Sequence, residues 1–271
     1  MTGERRFGGW ALRASGCAMA KLVALLAFLV VGPAAAATAD DAKALLKRMA
    51  DHLAAQQTIQ LTFDSAIEVV TPELEKIQFT NSGKALLARP DRLYAHRIGG
   101  YSDVALYFDG KTVTIYGEGL NAYAQFDGPA SVDALIEALR VGHGVALPGA
   151  DLLLTNSFKV LSADILEAKH IGRGVVGGRL CDHLAFRNFD TDWQLWVENG
   201  ERPIPCKMVI TSKTINGAPQ YTLQVTGWKD GVAAGPADFA FTPPPDAQVL
   251  GPDQLIEFDE LPQGAPSGGD Q

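Results

Sequence analysis

The feature that most constrains the fold is a long run of alternating apolar and polar residues after position 57. Between Thr58 and Val70 the odd-numbered positions are mostly apolar and the even-numbered ones mostly polar. The pattern returns between Glu75 and Ala88, after a break at Thr71-Pro72-Glu73. Because successive side chains point to opposite faces of a strand, both runs predict long antiparallel strands with one buried face. The predicted inward residues are Ile59, Leu61, Phe63, Ile67, Val69, Ile77, Phe79, Ala85 and Leu87.

Shorter segments of the same kind follow, bounded by Gly, Pro, Asn and Asp residues that are typical of turns. The dipeptide Asp109-Gly110 indicates a tight hairpin. These strands are predicted at Leu93–Ile98, Val104–Phe108, Lys111–Tyr116, Gly178–Arg187, Asp192–Glu198, Pro205–Ile215, Pro219–Trp228 and Phe239–Phe241.

Two amphipathic helices are predicted from apolar residues at helical spacing. The first runs from Ala42 to about Gln57 behind a capping aspartate, and the second spans Val132–Arg140 behind Ser131. The stretch Val141–Leu161 is rich in glycine and apolar residues and is predicted as a short helix plus a loop.

The fold class that follows is mainly β (α+β): a curved antiparallel half-open β-barrel covered by a few helices. No linker rich in charge or serine and no repeat of 20–50 residues divides the chain, so residues 40–262 are predicted as a single domain. A sheet of this size must curl to manage its edges. Residues 263–271 are predicted to be a disordered tail.

The N-terminal 39 residues have the form of a Sec-type signal peptide. An apolar run at Lys21–Val31 follows a positive flank and precedes small residues that offer A-x-A cleavage sites, and we place the cut after Ala39. The run is too short to span a membrane. Two weaker interpretations are a twin-arginine signal at Arg5-Arg6 and a lipobox at Cys17, and Met19 is an alternative start.

The mature chain is acidic. The leader holds four basic residues and one acidic residue, so its removal moves the net charge from −8 to −11. An acidic chain argues against nucleic acid as a partner and against electrostatic adhesion to anionic lipid. No membrane span is expected after the leader is removed. The expected location is therefore the periplasm.

The motifs for chemistry are weak, and the protein is predicted not to be an enzyme. No metal-ligand spacing is present, and neither a metal nor a cofactor is expected. The glycines of Gly172-x-Gly174-x-x-Gly177 are interpreted as turn residues, because a strand rather than a helix follows them. Cys181-Asp182-His183 is interpreted as a structural cysteine beside a hydrogen-bonded histidine. His143, between two glycines, is the best lone catalytic candidate and more often a solvated residue.

Cys181 and Cys206 remain after Cys17 leaves with the leader, and an even pair in an oxidising compartment favours a disulfide. If three strands form a simple meander, however, the cysteines flank the middle one and their Cα atoms lie about 9–10 Å apart, beyond bridging range. Either the middle strand stops short of both cysteines or they stay reduced.

The region from Gly178 to Lys213 resembles the core signature of an uncharacterised family of predicted periplasmic proteins. It contains G-x-L-C-D-H-L-A-F-R and D-W-Q-L-W-V-E-N-G, followed by P-I-P-C-K-M-V-I-T-S-K. That family is similar in architecture to the Lol-type lipoprotein carriers, and Arg89-Pro90 resembles an Arg-Pro of the carrier. The resemblance implies a half-open barrel with helices as a lid over an apolar cavity that takes acyl chains.

Two functions are therefore expected as alternatives. The first is a module that binds or carries a lipid, lipoprotein or other apolar ligand in a cavity between sheet and helices. The second is an envelope module for structure or protein interaction, with no small-molecule ligand. For the first, the expected cavity residues are Leu61, Phe63, Phe79, Leu87, Leu135, Leu139 and Trp193.

Overall fold

The computed structural model describes residues 39–142, 145 and 147–251 of the 271-residue chain. Apart from Ala39, the predicted leader lies outside the described residues, as do His143 and the predicted tail 263–271. The described residues form a sheet of twelve strands with its α-helices on one side. Within ranges 39–142 and 147–251, no helix combines the length and hydrophobicity needed to cross a bilayer.

The two long strands predicted from the alternation lie at the centre of the sheet. In space the order is β12-β6-β5-β4-β3-β2-β1-β11-β10-β9-β8-β7, so that among the described residues the curled sheet has β12 and β7 as its edge strands. Neighbours are antiparallel except β12 and β6, which are parallel. The strands are β1 (Thr58–Val70), β2 (Lys76–Ala88), β3 (Arg92–Gly99), β4 (Asp103–Phe108), β5 (Thr112–Gly117), β6 (Ala122–Asp127), β7 (Glu167–Val176), β8 (Arg179–Arg187), β9 (Thr191–Glu198), β10 (Pro205–Ser212), β11 (Gln220–Asp230) and β12 (Gln248–Leu250).

The helices are short apart from the first. Helix α1 (Ala39–Ala55) buries Leu46, Met49 and Leu53 along one stripe. Helix α2 (Val132–Glu137) is capped by the Ser131 hydroxyl, which accepts a hydrogen bond from the Ala134 amide, and continues as a π-helical turn over Ala138–Gly142. A 3₁₀ helix (Ala150–Leu153) and helix α3 (Ser157–Ser162) complete the helical cover.

The buried side chains form two clusters, both on the sheet face that meets the helices, here called the inner face. The first joins α1 and α3 to strands β7–β10. The second joins α2 and the segments after it to strands β1–β6. The first contains Ala42, Leu46, Met49, Leu53, Leu152, Leu161, Ala168, Leu184, Phe186, Trp193, Leu195, Val197, Ile204 and Met208. The second contains Ile59, Leu87, Leu93, Phe108, Val113, Ile115, Ala124, Val132, Leu135, Ile136, Leu139 and Leu154.

The predicted strands are largely confirmed, and that for Thr58–Val70 has the observed bounds. Strands β6, β7 and β12 were not predicted. The interpretation of Gly172 and Gly174 as turn residues is wrong, because both lie within β7, where the register shifts between His170 and Gly172. Glycine in a strand often marks such a bulge.

The predicted strand at Phe239–Phe241 is also wrong. Pro236–Phe239 forms a 3₁₀ helix, and the chain is then held on the outer face of the sheet by packing. The ring of Phe241 contacts those of Tyr107, Tyr116 and Tyr123, with centroids 5.1–5.4 Å apart. Phe241 is therefore partly buried by contact with the sheet and not by strand pairing.

Candidate ligand-binding face

The two core clusters meet on the inner face at the central strands β1 and β11. Among the described residues, Trp228 is the one side chain that packs against both clusters. Leu61, opposite Trp228, packs against the second cluster, and Leu223 packs against the first. We call this junction, formed by Leu61, Phe63, Leu223, Val225 and Trp228, the seam.

The cover over the seam includes an irregular segment that follows the π-helical turn. A Cβ built on Gly149 would lie 2.9 Å from Cδ2 of Leu223, so the backbone at Gly149 rests on the seam. Gly149 has a φ of +84°, a conformation that favours glycine. Arg140 fixes this segment by donating hydrogen bonds to Asp151 and to the carbonyl of Leu147, at 2.6 and 3.1 Å.

One buried cation ties three pieces of the helical cover together. The Arg89 guanidinium donates hydrogen bonds to the carbonyls of Gln56, just after α1, and of Leu153 in the 3₁₀ helix, at 3.1 and 2.8 Å. It also lies 3.8 Å from Asp133 in α2. Burial lowers the pKa of Arg89, and the charge of Asp133 opposes that effect. Arg89 therefore connects β2 to both halves of the cover.

Four of the seven expected cavity residues are in or beside the second cluster. Leu87, Leu135 and Leu139 are fully or almost fully buried, and Leu61 packs against them as part of the seam. Trp193 belongs to the first cluster, where it stacks on Phe186 with ring centroids 4.0 Å apart. The structure therefore does not place all seven residues around a single packed space.

Phe63 and Phe79 lie outside both clusters on the inner face of β1 and β2. Phe63 is opposite Gly83, and Phe79 is opposite Ile67 and contacts the ring of Tyr101 edge-on at 5.4 Å. Ile67 is also opposite Tyr221 of β11. We call Phe63, Ile67, Phe79 and Tyr221 the inner strip. All four are only partly buried, and Tyr221 was missed because the pairing of β1 with β11 spans more than 150 residues.

Cys181 and Cys206 form a disulfide, with Cα atoms 7.1 Å apart. Cys181 is opposite Glu198, the last residue of β9, and Cys206 lies at a register shift of β10 between Pro205 and Lys207. The middle strand therefore ends at the cysteines, and the irregular pairing brings them closer than a regular meander would. The disulfide that was favoured by the oxidising compartment and the even number of cysteines is therefore present.

Beside the disulfide, Asp182 is buried on the inner face of β8 and has several polar partners. Asn199 donates a hydrogen bond to it at 2.8 Å, and Arg173 and His170 lie 3.3 and 3.2 Å away. Burial raises the pKa of Asp182, but the hydrogen bonds from Asn199 and Arg173 and the nearby positive charges outweigh it, so the pKa is lowered.

His183, on the outer face, is hydrogen-bonded to Gln194 and stacks on Trp196, as expected of a structural residue.

Other polar groups on the outer face give little indication of a site. His96, Asp103 and Glu118 bring three metal-ligand atoms within 4.8 Å of one another. The 2.6 Å contact between His96 and Asp103 accounts for most of this proximity without an ion, and Glu118 is exposed. Two open depressions of about 560 and 200 Å³ are lined mainly by polar outer-face residues. The inner face is therefore a better candidate for a ligand-binding site than the outer face.

The fold and the inner face define a mainly β protein whose curled, unclosed sheet carries its α-helices on one side. Residues 42–250 match the family described as "Predicted periplasmic protein (DUF2092)". The chain belongs to this family, and its location is the periplasm, in agreement with the prediction from the leader. No curated protein sequence matches the chain significantly.

Several solved structures are similar to this chain at low sequence identity. One is an uncharacterized conserved protein from Thermus thermophilus, with 13% identity and a TM-score of 0.46 over 78% of this chain and 98% of that one. LprF from Mycobacterium bovis has 11% identity and a TM-score of 0.45 over 74% and 99%. The Pseudomonas aeruginosa MucA/MucB complex has 17% identity and a TM-score of 0.42 over 74% of this chain and 61% of that one. This chain therefore spans less than two thirds of the chain in that structure. At these TM-scores the similarity supports no functional inference.

Proposed function

We propose that the protein is a non-enzymatic periplasmic module that holds an apolar ligand, such as the acyl chain of a lipid or lipoprotein, between the inner face and its helical cover. The observation that carries the proposal is the inner strip. Phe63, Ile67 and Phe79 face the helical side of the sheet, yet they belong to neither core cluster.

The energetics of burial support this use of the strip. Fully burying a Phe or Ile side chain stabilises a protein by about 1.5–3 kcal/mol. Side chains that are only partly buried leave some of that free energy unused, and an acyl chain laid along the strip would recover it on binding. Ligand sites of this kind are lined mainly by apolar and aromatic side chains.

The construction of the cover supports access to this face. The first cluster is covered mainly by α1 and α3 and the second mainly by α2 and the turn after it, and the 3₁₀ helix packs on both through Leu152 and Leu153. The irregular segment at Gly149 lies where they meet, and Arg89 holds both sides. We infer that the ligand enters where these pieces meet, at the seam.

The test is binding of a fluorescent fatty acid to delipidated mature protein. The wild-type protein is expected to bind it, and Phe63→Asp is expected to weaken binding at least tenfold, because a carboxylate would be placed on the strip. Phe189→Asp is the matched control, since Phe189 is 88% exposed. Circular dichroism establishes that both variants are folded.

Native mass spectrometry of protein purified from periplasm provides a second measurement, in which a bound lipid is expected. A folded wild-type protein that binds no probe and carries no lipid would exclude an apolar ligand.

A protein partner is the second candidate, and β7, an edge strand of the sheet that the described residues form, favours it. Strand β7 pairs on one side with β8 and ends the sheet, and its side chains Ile171 and Val175 are 54% and 71% exposed. An exposed edge strand with apolar side chains can pair with an extended segment of another protein. Crosslinking at β7 in intact cells, compared with crosslinking at Val249 near the opposite edge, would test this candidate.

A further inference from the structure

The apolar alternation of the two central strands is broken at one place. On β1 the inward position between Phe63 and Ile67 is Ser65, and on β2 the inward position between Phe79 and Gly83 is Asn81. The register makes Ser65 and Asn81 direct partners across the two strands. A polar pair therefore lies in the middle of the inner strip.

Both members of the pair are buried, and each has a side-chain donor without a hydrogen-bond partner. Ser65 is 4% exposed and Asn81 is 6% exposed. Oγ of Ser65 and Nδ2 of Asn81 have no hydrogen-bond partner. Buried polar atoms are nearly always hydrogen-bonded, so two unpartnered donors side by side indicate a missing acceptor.

The surroundings of the pair are small residues and a positive charge. Gly83 and Gly99 lie next to the pair on β2 and β3, and a Cβ built on Gly99 would be 1.9 Å from Oδ1 of Asn81. The amide of Asn81 thus lies over Gly99. Arg97, opposite Gly83, is on the same face one row away.

We propose that Ser65 and Asn81 bind the carbonyl or carboxylate oxygen of the acyl ligand, whose chain lies along the inner strip. This inference rests on the proposed function. The hydroxyl of Ser65 and the amide of Asn81 both donate to the ligand oxygen, while Phe63, Ile67 and Phe79 contact the hydrocarbon. A pure hydrocarbon cannot supply the acceptor, so the pair selects acyl compounds over alkanes.

The test compares three competitors of one chain length against the fluorescent fatty acid: dodecanoic acid, its methyl ester and dodecane. In wild-type protein the acid, the ester or both are expected to displace the probe at least about tenfold better than dodecane, because they gain one or two hydrogen bonds that dodecane cannot form. Preference for the acid identifies a free carboxylate as the ligand group, and equal binding of acid and ester identifies an ester carbonyl.

Two variants assign the selectivity to the pair. Asn81→Leu and Ser65→Ala are expected to weaken binding of the oxygen-containing ligand and to leave the affinity for dodecane unchanged. The ratio of the two affinities should therefore approach one. Ser82→Ala, on the outer face where Ser82 donates to Asp64, is the control and should leave the ratio unchanged. Since Asn81→Leu removes an unpartnered buried group, the variant should keep its thermal stability.

The outcomes separate this inference from the proposed function. If no competitor displaces the probe because the wild-type protein binds none, the proposed function itself is wrong. If the probe binds but acid, ester and dodecane compete equally in wild-type protein, or the variants leave the ratio unchanged, the polar pair does not recognise the ligand and is instead satisfied by water.

Discussion

The guanidinium of Arg89 donates a 2.8 Å hydrogen bond to the carbonyl oxygen of Leu153, across 64 residues of sequence. This bond joins the end of a central strand to the 3₁₀ helix of the cover. The same side chain donates to Gln56 and lies near Asp133, and only 6% of it is exposed. Arg89 thus holds the cover at the point where its two halves meet.

Replacing Arg89 should loosen the cover. Arg89→Met removes the donors to Gln56 and Leu153, and we expect it to lower the free energy of unfolding by about 2–4 kcal/mol, since hydrogen bonds from a buried charge are lost. It should also raise both the association and dissociation rates of the fluorescent fatty acid. Urea unfolding and stopped-flow fluorescence measure the two effects.

The control for this prediction is Arg202→Met, because Arg202 is 55% exposed and lies 4.0 Å from Asp230. It should change stability by less than about 1 kcal/mol. An Arg89→Met protein with unchanged stability and unchanged probe kinetics would show that Arg89 does not hold the cover.

Export with cleavage after Ala39 is a second prediction, and it rests on the leader sequence alone. N-terminal sequencing of the periplasmic protein should begin at or close to Asp40, two residues before the buried Ala42 of α1. A protein that retains residues 1–39 and stays in the membrane fraction would contradict it.

The disulfide leads to a third prediction. Its closed loop spans 25 residues, and reduction should lower the free energy of unfolding by about 3 kcal/mol. The mature protein, unfolded without reductant, should contain no free thiol by titration. Cys181→Ser and Cys206→Ser, separately and together, should each reproduce the loss seen on reduction, since either change removes the same bridge. Two titratable thiols in the unreduced protein would show that no bridge forms.

The local structure was largely predictable from the sequence because it depends on short-range patterns. The alternation of Thr58–Val70 is sufficient to define β1, and the spacing of Leu46, Met49 and Leu53 defines the buried face of α1. Strand β7 was missed because Gly172 and Gly174 interrupt its pattern at a bulge.

The arrangement of the candidate site was not predictable, since it depends on pairing between distant segments. Trp193 and Leu135 were expected to line one cavity, but the insertion of β11 beside β1 places them in different clusters. Ser65 and Asn81 visibly break the alternation in the sequence. The register shows that they are direct neighbours, and the structure around them shows that the Ser65 hydroxyl and the Asn81 amide nitrogen have no hydrogen-bond partner; neither fact can be seen in the sequence.

The last prediction concerns Asp182 and acid. Its pKa is lowered in the folded protein, because hydrogen bonds from Asn199 and Arg173 and the neighbouring charges outweigh the effect of burial. A carboxylate with a depressed pKa contributes stability above its unfolded pKa, and that stability is lost as the pH falls through the folded value.

Urea unfolding should therefore show a loss of stability as the pH is lowered below about 4, the ordinary value for aspartate. Asp182→Asn should be less stable than the wild type at pH 7 and should lose less stability between pH 5 and pH 3. Asp51→Asn is the matched control, because the Asp51 side chain is 61% exposed and pairs with Lys47 on the surface of α1, so its acid dependence should follow the wild type. If Asp182→Asn has the same pH dependence as the wild type, the carboxylate of Asp182 is not the group whose ionisation stabilises the folded protein.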